Sequence, residues 1–192
     1  MYQKYMKRPF DIILSLFLII IFFPLMVLLF IIIWMKIGFP IFIQERPGLN
    51  NRIFKLFKFK TLKDQNVNKS IKKRQTNLGN LIRRTGLDEL PQLFNVLIND
   101  MSLIGPRPLL KEYLLKYSDY EKKRHIVKPG ITGLAQVNPD PNGLKSWRRS
   151  IKLDIYYASN ISFFLDTKIL FKTFIITLSG AKQHEDFRKF YE

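Results

Sequence analysis

The run from Ile12 to Met35 constrains this chain more than any other feature. Apart from Trp34 near its end, its only hydrogen-bonding side chain is Ser15, and as a continuous helix it would extend about 36 Å, enough to cross a bilayer. A cleaved signal peptide does not fit, because the run is too long and Trp34, Met35 and Lys36 stand where small residues would be needed. Pro24 lies near the middle, where it removes a backbone hydrogen bond and pushes against the carbonyl of Ile20, so a bend is expected there. Charge adds a second constraint. Lys4, Lys7 and Arg8 precede the run, and Lys36, Arg46, Arg52, Lys55, Lys58 and Lys60 follow it. A spanning helix would strand one basic cluster outside, whereas a helix–break–helix that enters and leaves one leaflet keeps both inside. Kinked spanning helices also carry proline, so the residues alone leave both forms open.

The chain has 192 residues, enough for one compact domain plus an anchor. Without cysteine there is no disulfide or thiolate metal site, and the two histidines, His125 and His184, are too few for a His-rich one. A formal net charge of +17, from 32 Lys+Arg against 15 Asp+Glu, asks for a polyanionic partner. In a membrane-anchored chain that partner is by default acidic lipid, which attracts each nearby basic residue by roughly 1 kcal/mol. The densest basic run, Lys69 to Arg74, follows the polar stretch Asp64 to Asn68 and reads as a solvated surface loop. It carries neither interleaved aromatics nor a reader motif, so no nucleic-acid partner is expected.

Pro40 to Gln44 and Phe54 to Phe59 read as short strands around Arg46 to Arg52, whose Pro-Gly and Asn-Asn pairs are turn chemistry. Leu78 to Arg84 and Pro91 to Ile98 read as helices, with Asn99 a left-handed cap, and Leu109 to His125 as a longer amphipathic helix. Phe163, Phe164, Phe171, Phe174, Ile175 and Leu178, with Lys168 and Lys172 among them, suit a helix at the headgroup boundary or one packed internally; periodicity does not separate the two.

Chemistry concentrates between Leu87 and Pro108. Thr85 or Asp88 is a candidate helix cap, and a cap at Asp88 makes Pro91 the third helical residue, where a missing N–H loses no partner. Asp88 and Glu89 then sit at the positive end of a helix, which favours ionised carboxylates and a docked phosphate. Arg107, fixed between Pro106 and Pro108, is pre-positioned for phosphate; Arg83 is the second choice for pyrophosphate. His125, beside Arg124 in a helix tail, reads as structural.

The stretch from Leu87 to Pro108 resembles the core signature of the bacterial sugar transferases, the monotopic phosphoglycosyl transferases. Further landmarks run in the same order along residues 4 to 179: Lys7-Arg8-Pro9-Phe10-Asp11, Pro40 to Gly48, Phe57-Lys58-Phe59-Lys60, Thr76 to Gly79, Arg83-Arg84, and Arg124 to Asn138. This sequence departs from the pattern at Phe23, where relatives often place a small polar residue, at Lys60 in place of arginine, and at Asn99 in place of glycine. It departs again at Pro139 to Gly143 and at Ser150 after Trp147, a region tied to sugar choice.

The resemblance implies an α+β fold, mostly helical with a small β-hairpin, carrying a proline-broken re-entrant membrane helix at Pro24 and interfacial amphipathic helices. It divides the chain into an anchor (1–36), a cytosolic transferase domain (37–179) and a C-terminal tail (180–192). The implied activity is transfer of a phosphosugar from a UDP-sugar to undecaprenyl phosphate, releasing UMP, as the first membrane step of surface glycoconjugate assembly. Asp88 is the implied nucleophile and Glu89 its assistant, both also ligands of Mg²⁺, with Arg83, Arg107, Lys60 and Gln136 binding substrate. Attack on a pyrophosphate needs charge neutralised on its non-bridging oxygens, which explains metal and arginines together. The implied setting is the cytosolic face of the bacterial inner membrane. The alternative is a non-catalytic, membrane-tethered basic binding protein, in which the adjacent carboxylates have no evident purpose.

Overall fold

A computed structural model describes residues 1–63, 74–138 and 147–179. The basic run's Lys69 to Lys73, the departure at Pro139 to Gly143, and the tail at 180–192 lie outside the described residues.

Helix α1 (Lys7–Lys36) follows a π-helical turn, Tyr2–Met6, and is the one helix among the described residues long and apolar enough to cross a membrane. It runs through Pro24 as a single element. Both halves pack on the rest of the protein. Phe10, Leu14 and Leu18 join the central core around Val96, Met101 and Ile104, while Met26, Leu29 and Ile33 pack with Phe59 and Ile82. The opposite face leaves Ile13, Phe17, Ile20 and Phe23 exposed.

The start of α1 is fastened by polar side chains. Arg8 donates to the carbonyls of Val96 (2.7 Å) and Leu97 (3.1 Å), satisfying the open end of the helix Gln92–Leu97. Asp11 accepts from the Ser102 hydroxyl at 2.7 Å and the Leu103 N–H at 3.2 Å. Asp166, fully buried, accepts from Lys7 at 2.7 Å, Tyr2 at 2.8 Å and Tyr157 at 2.7 Å, so one carboxylate joins the chain's first turn to its last helices. Removing that charge leaves buried Lys7 with only the longer contact to Asp11 at 4.0 Å. Asp166→Asn is therefore expected to cost about 3–5 kcal/mol, read as a lower melting temperature in detergent; an unchanged melt would show the network to be dispensable.

Strands β1 (Ile41–Pro47) and β2 (Ile53–Phe59) form the expected hairpin, antiparallel, with Arg46 opposite Phe54 and Gln44 opposite Leu56. Asn50 and Asn51 turn the chain with φ of 52° and 62°, a conformation asparagine tolerates. Helix α2 (Asn77–Arg84) starts at Thr76, whose hydroxyl accepts from the Gly79 N–H at 2.9 Å. Helix α3 (Gln92–Leu97) ends before Asn99, whose φ of 75° is the expected left-handed cap. A short parallel pair, β3 (Ser102–Ile104) and β4 (Gly130–Thr132), follows, three residues per strand and too short for a pattern to announce it.

The long helix expected over Leu109 to His125 does not form. The stretch breaks into a 3₁₀ segment (Lys111–Lys116), helix α4 (Asp119–Lys122) and a 3₁₀ turn (Lys123–His125). Tyr117 is extended, and Ser118 opens a new helix through a capping box with Glu121, so a start signal lies inside the apolar repeat. Helices α5 (Trp147–Ser159) and α6 (Phe163–Leu178) complete the fold. In α6 only Asp166 and Ile169 are buried, and Phe163, Phe164, Phe171, Phe174 and Leu178 face outward. The aromatic stripe is not internal packing.

Candidate active site

Gly79 brings α2 against the end of the hairpin: a Cβ there would lie 2.0 Å from the Thr61 carbonyl oxygen, so only glycine permits the approach. Arg83, one turn further on, donates through Nε to the Thr61 hydroxyl at 2.7 Å. At the end of α2 the Thr85 hydroxyl reaches back to the carbonyls of Leu81 and Ile82, and Gly86 turns left-handed with φ of 71°. A single 3₁₀ turn, Leu87–Glu89, then carries both carboxylates, 4% and 9% exposed for Asp88 and Glu89.

The expected helix cap is therefore wrong on both candidates. Thr85 closes α2, and Asp88 stands inside its own 3₁₀ turn and not at a cap, because α3 begins only at Gln92 with Pro91 in the cap position. The N–H groups of Glu89, Leu90, Leu93 and Phe94 are spent on carbonyls three residues back. With six residues in α3, a helix dipole is not what steadies these acids.

For Glu89, side-chain cations do so instead. Glu89 Oε1 accepts from Lys58 Nζ and from Arg107 Nη2, both at 2.8 Å. Burial raises the carboxyl pKa, but the charges of Arg107 and Lys58, with their hydrogen bonds, outweigh it and hold Glu89 far below the usual carboxylate range. Lys58 was not among the expected site residues; Lys60 was. Among the described residues the lysine joined to Glu89 is Lys58, and Lys60 follows where its backbone N–H donates to Pro40. Lys58 is placed by fully buried Asn95 of α3, which accepts from the Phe57 N–H at 3.0 Å and donates to the Lys55 carbonyl at 2.7 Å.

Arg107 is positioned by its backbone. All three carbonyls of Pro106-Arg107-Pro108 are held: Pro106 by the Gly130 N–H (3.0 Å), Arg107 by Arg124 Nη2 (2.7 Å) and Pro108 by Arg46 Nη1 (3.4 Å). A Cβ on Gly130 would lie 2.0 Å from the Gly105 nitrogen, so these two loops interlock only as glycine against glycine. Arg124 is itself fully buried, paired with Asp154 at 2.5 Å and hydrogen-bonded to the Tyr117 hydroxyl at 3.2 Å. Its role in fixing the Arg107 loop was invisible in the sequence. Gln136 donates to the Ile131 carbonyl at 3.2 Å and, with Arg107, Trp147, Ser150 and the Arg124–Asp154 ion pair, lines a cleft on the other side of the Arg107 loop's anchor; Asp88 and Glu89 do not line it.

His125 is structural, as expected. It is buried with Nδ1 2.6 Å from Asn51 Oδ1, and burial together with the charge of Arg124 pushes its pKa from 6.5 down to about 3. The folded protein thus keeps this ring neutral while the unfolded chain protonates it below its ordinary pKa. Its stabilising effect is complete above about pH 6.5 and erodes as pH falls toward 3. Melting temperature should therefore fall on acidification from pH 7 to 4.5, and His125→Gln should flatten that decline; parallel profiles would contradict the assignment.

Among the described residues no group of three His, Asp or Glu side chains gathers as a metal cage. The donor set still suits Mg²⁺, which commonly binds through one or two carboxylates plus substrate phosphates. Asp88 and Glu89 are hard oxygen donors on one turn.

The match to the bacterial sugar transferase family covers residues 2–180, and the chain belongs to that family. It is 44% identical to the "Uncharacterized sugar transferase EpsL" of Bacillus subtilis (strain 168), over 93% of this chain and 91% of that protein. It is 37% identical, over 92% of its length, to the UDP-N-acetylgalactosamine-undecaprenyl-phosphate N-acetylgalactosaminephosphotransferase of Aeromonas hydrophila. To the UDP-glucose:undecaprenyl-phosphate glucose-1-phosphate transferase of Escherichia coli (strain K12) it is 35% identical over 89%. The chain spans only 44% and 40% of those two proteins.

Proposed function

We propose that this sugar transferase moves a phosphosugar from a UDP-sugar to undecaprenyl phosphate, giving undecaprenyl-diphospho-sugar and UMP. The observation that carries this reading is the turn with two buried carboxylates, Asp88 and Glu89, onto which Arg107 and Lys58 converge. Such an arrangement suits phosphoryl transfer, in which cations offset charge on the phosphoryl oxygens while an anion attacks. The names of the relatives support the same donor and acceptor classes. A non-catalytic basic tether gives this arrangement no task.

In the proposed reaction an Asp88 carboxylate oxygen attacks the sugar-proximal phosphorus; the bond to the bridging oxygen breaks, and UMP leaves with the electron pair. A phosphate oxygen of undecaprenyl phosphate then attacks the phosphosugar on Asp88, and the carboxylate departs unchanged. Glu89 holds Arg107 and Lys58 in place, and Arg83 and Gln136 at the margins contact donor groups. Mg²⁺, bound by Asp88 and Glu89, would supply further neutralisation of the pyrophosphate. A panel of UDP-sugars, each offered with undecaprenyl phosphate in nanodiscs, tests the proposal. One sugar should yield a diphospholipid identified by mass, and a panel without lipid product would overturn it.

The same reading makes the chain monotopic on the cytosolic face of the inner membrane, with residues 1–36 the anchor and 37–179 the catalytic domain. Support comes from α1, whose first turn is tied to Val96, Ser102 and Asp166 and whose last turns pack on Phe59 and Ile82 of the same domain. A helix fastened to one domain at both ends fits a path that returns to its own leaflet, with Pro24 as its bend. The exposed faces of α1 and α6 would then meet lipid, and the +17 charge would meet acidic headgroups. Cysteines placed at Gln3 and Lys152 should both be labelled from the cytosolic side alone; periplasmic labelling at Gln3 would establish a spanning helix.

A further inference from the structure

Arg46 stands on the inward face of the hairpin, beside the Arg107 loop. Its Nη2 donates to Gln44 Oε1 at 2.6 Å and its Nη1 to the Pro108 carbonyl at 3.4 Å, while Nε is enclosed without a hydrogen-bond partner. No carboxylate forms an ion pair with it among the described residues. Burial, then the neighbouring charge of Arg107, pulls its pKa down to about 10, and the more weakly acting Glu112 and Glu89 do not restore it. Arg46 thus lies near enough to Arg107 to feel its charge, while Glu89 is already bonded to Arg107 and Lys58 and makes no ion pair with Arg46. A guanidinium taken from water without a counter-charge is costly, and its planar fork matches phosphate oxygens.

We propose that Arg46 is a phosphoryl-binding residue, whose absent counter-charge is a phosphate oxygen of a bound substrate. The assignment rests on the active-centre reading above and extends it to the hairpin, making β1 a wall of the substrate site. Two sources offer this chemistry: the pyrophosphate of the nucleotide sugar and the phosphate head of the lipid acceptor.

Full-length protein in nanodiscs, titrated calorimetrically with inorganic pyrophosphate and inorganic phosphate, tests it. Arg46→Gln should weaken binding of at least one of these anions tenfold or more, and Arg46→Lys should fall between it and the wild type. Because relief of the enclosed charge offsets loss of the 3.4 Å bond to Pro108, the melting temperature without ligand should stay close to that of the wild type. If the nucleotide sugar is the source, its KM rises about tenfold and that of undecaprenyl phosphate stays constant; if the lipid head is the source, the pattern reverses. Equal anion affinity in wild type and Arg46→Gln, or no anion binding by the wild type, overturns the proposal. A wild type that binds pyrophosphate but transfers no sugar would instead overturn the transferase reading and leave Arg46 assigned.

Discussion

Asp88→Asn is expected to reduce sugar transfer by about 10⁴-fold or more, the scale on which loss of a covalent nucleophile is felt. The amide is nearly the same size as the carboxylate, and the turn around it is held by backbone bonds, Glu89 N–H to Gly86 and Leu90 N–H to Leu87, that the change does not touch. Melting behaviour should therefore stay close to wild type while UMP release and lipid product both vanish. What disappears is the attacking anion, since an amide oxygen is a poor nucleophile toward phosphorus. Substantial turnover by a folded Asp88→Asn protein would remove Asp88 from the role.

Glu89→Gln should be the next most damaging change, lowering turnover by about 10²- to 10³-fold, as when a pre-positioned electrostatic contact is lost. Glu89 is the point where Lys58, from the hairpin, meets Arg107, from the Pro-Arg-Pro loop, each at 2.8 Å. The neutral amide keeps one acceptor oxygen but no charge, so both cations repel each other and lose their orientation toward substrate. Adding Lys58→Met to Glu89→Gln should then cost less than Lys58→Met does alone, because the pair acts as a unit; strict additivity would contradict this. Excess chelator should stop the wild-type reaction, and undiminished turnover would remove magnesium from the account.

Local chemistry was legible in the sequence where it is short-ranged. Pro47-Gly48 and Asn50-Asn51 announced the hairpin, and its strands fell within a few residues of Ile41–Pro47 and Ile53–Phe59. Asn99 as a left-handed cap and the helix ending at Arg84 were equally readable. The capping box at Ser118 and Glu121 was also present in the sequence, but the apolar repeat around it masked the break.

What was hidden depends on partners distant along the chain. Lys58 finds Glu89 across 31 positions and Arg124 finds Asp154 across 30, with no spacing rule to connect them. Lys60, two residues away in the same basic cluster, falls on the same side by the strand's period of two, so no local pattern singled out Lys58 as the partner of Glu89; the clamp of Asn95 on Lys55 and Phe57 places it there. Asp88 looked like a helix cap because Pro91 suited the first turn, yet the left-handed Gly86 starts a separate 3₁₀ turn first.

The most direct test of the central claim is to incubate the purified protein with its nucleotide sugar in the absence of lipid. A two-step reaction on Asp88 predicts release of UMP equal to the amount of enzyme and a mass increase of one phosphosugar. Peptide analysis, under a quench that preserves acyl phosphates, should place it on Asp88. Nucleotide release only when undecaprenyl phosphate is also present, with no trappable adduct, would contradict the account and make Asp88 a metal ligand in a direct displacement.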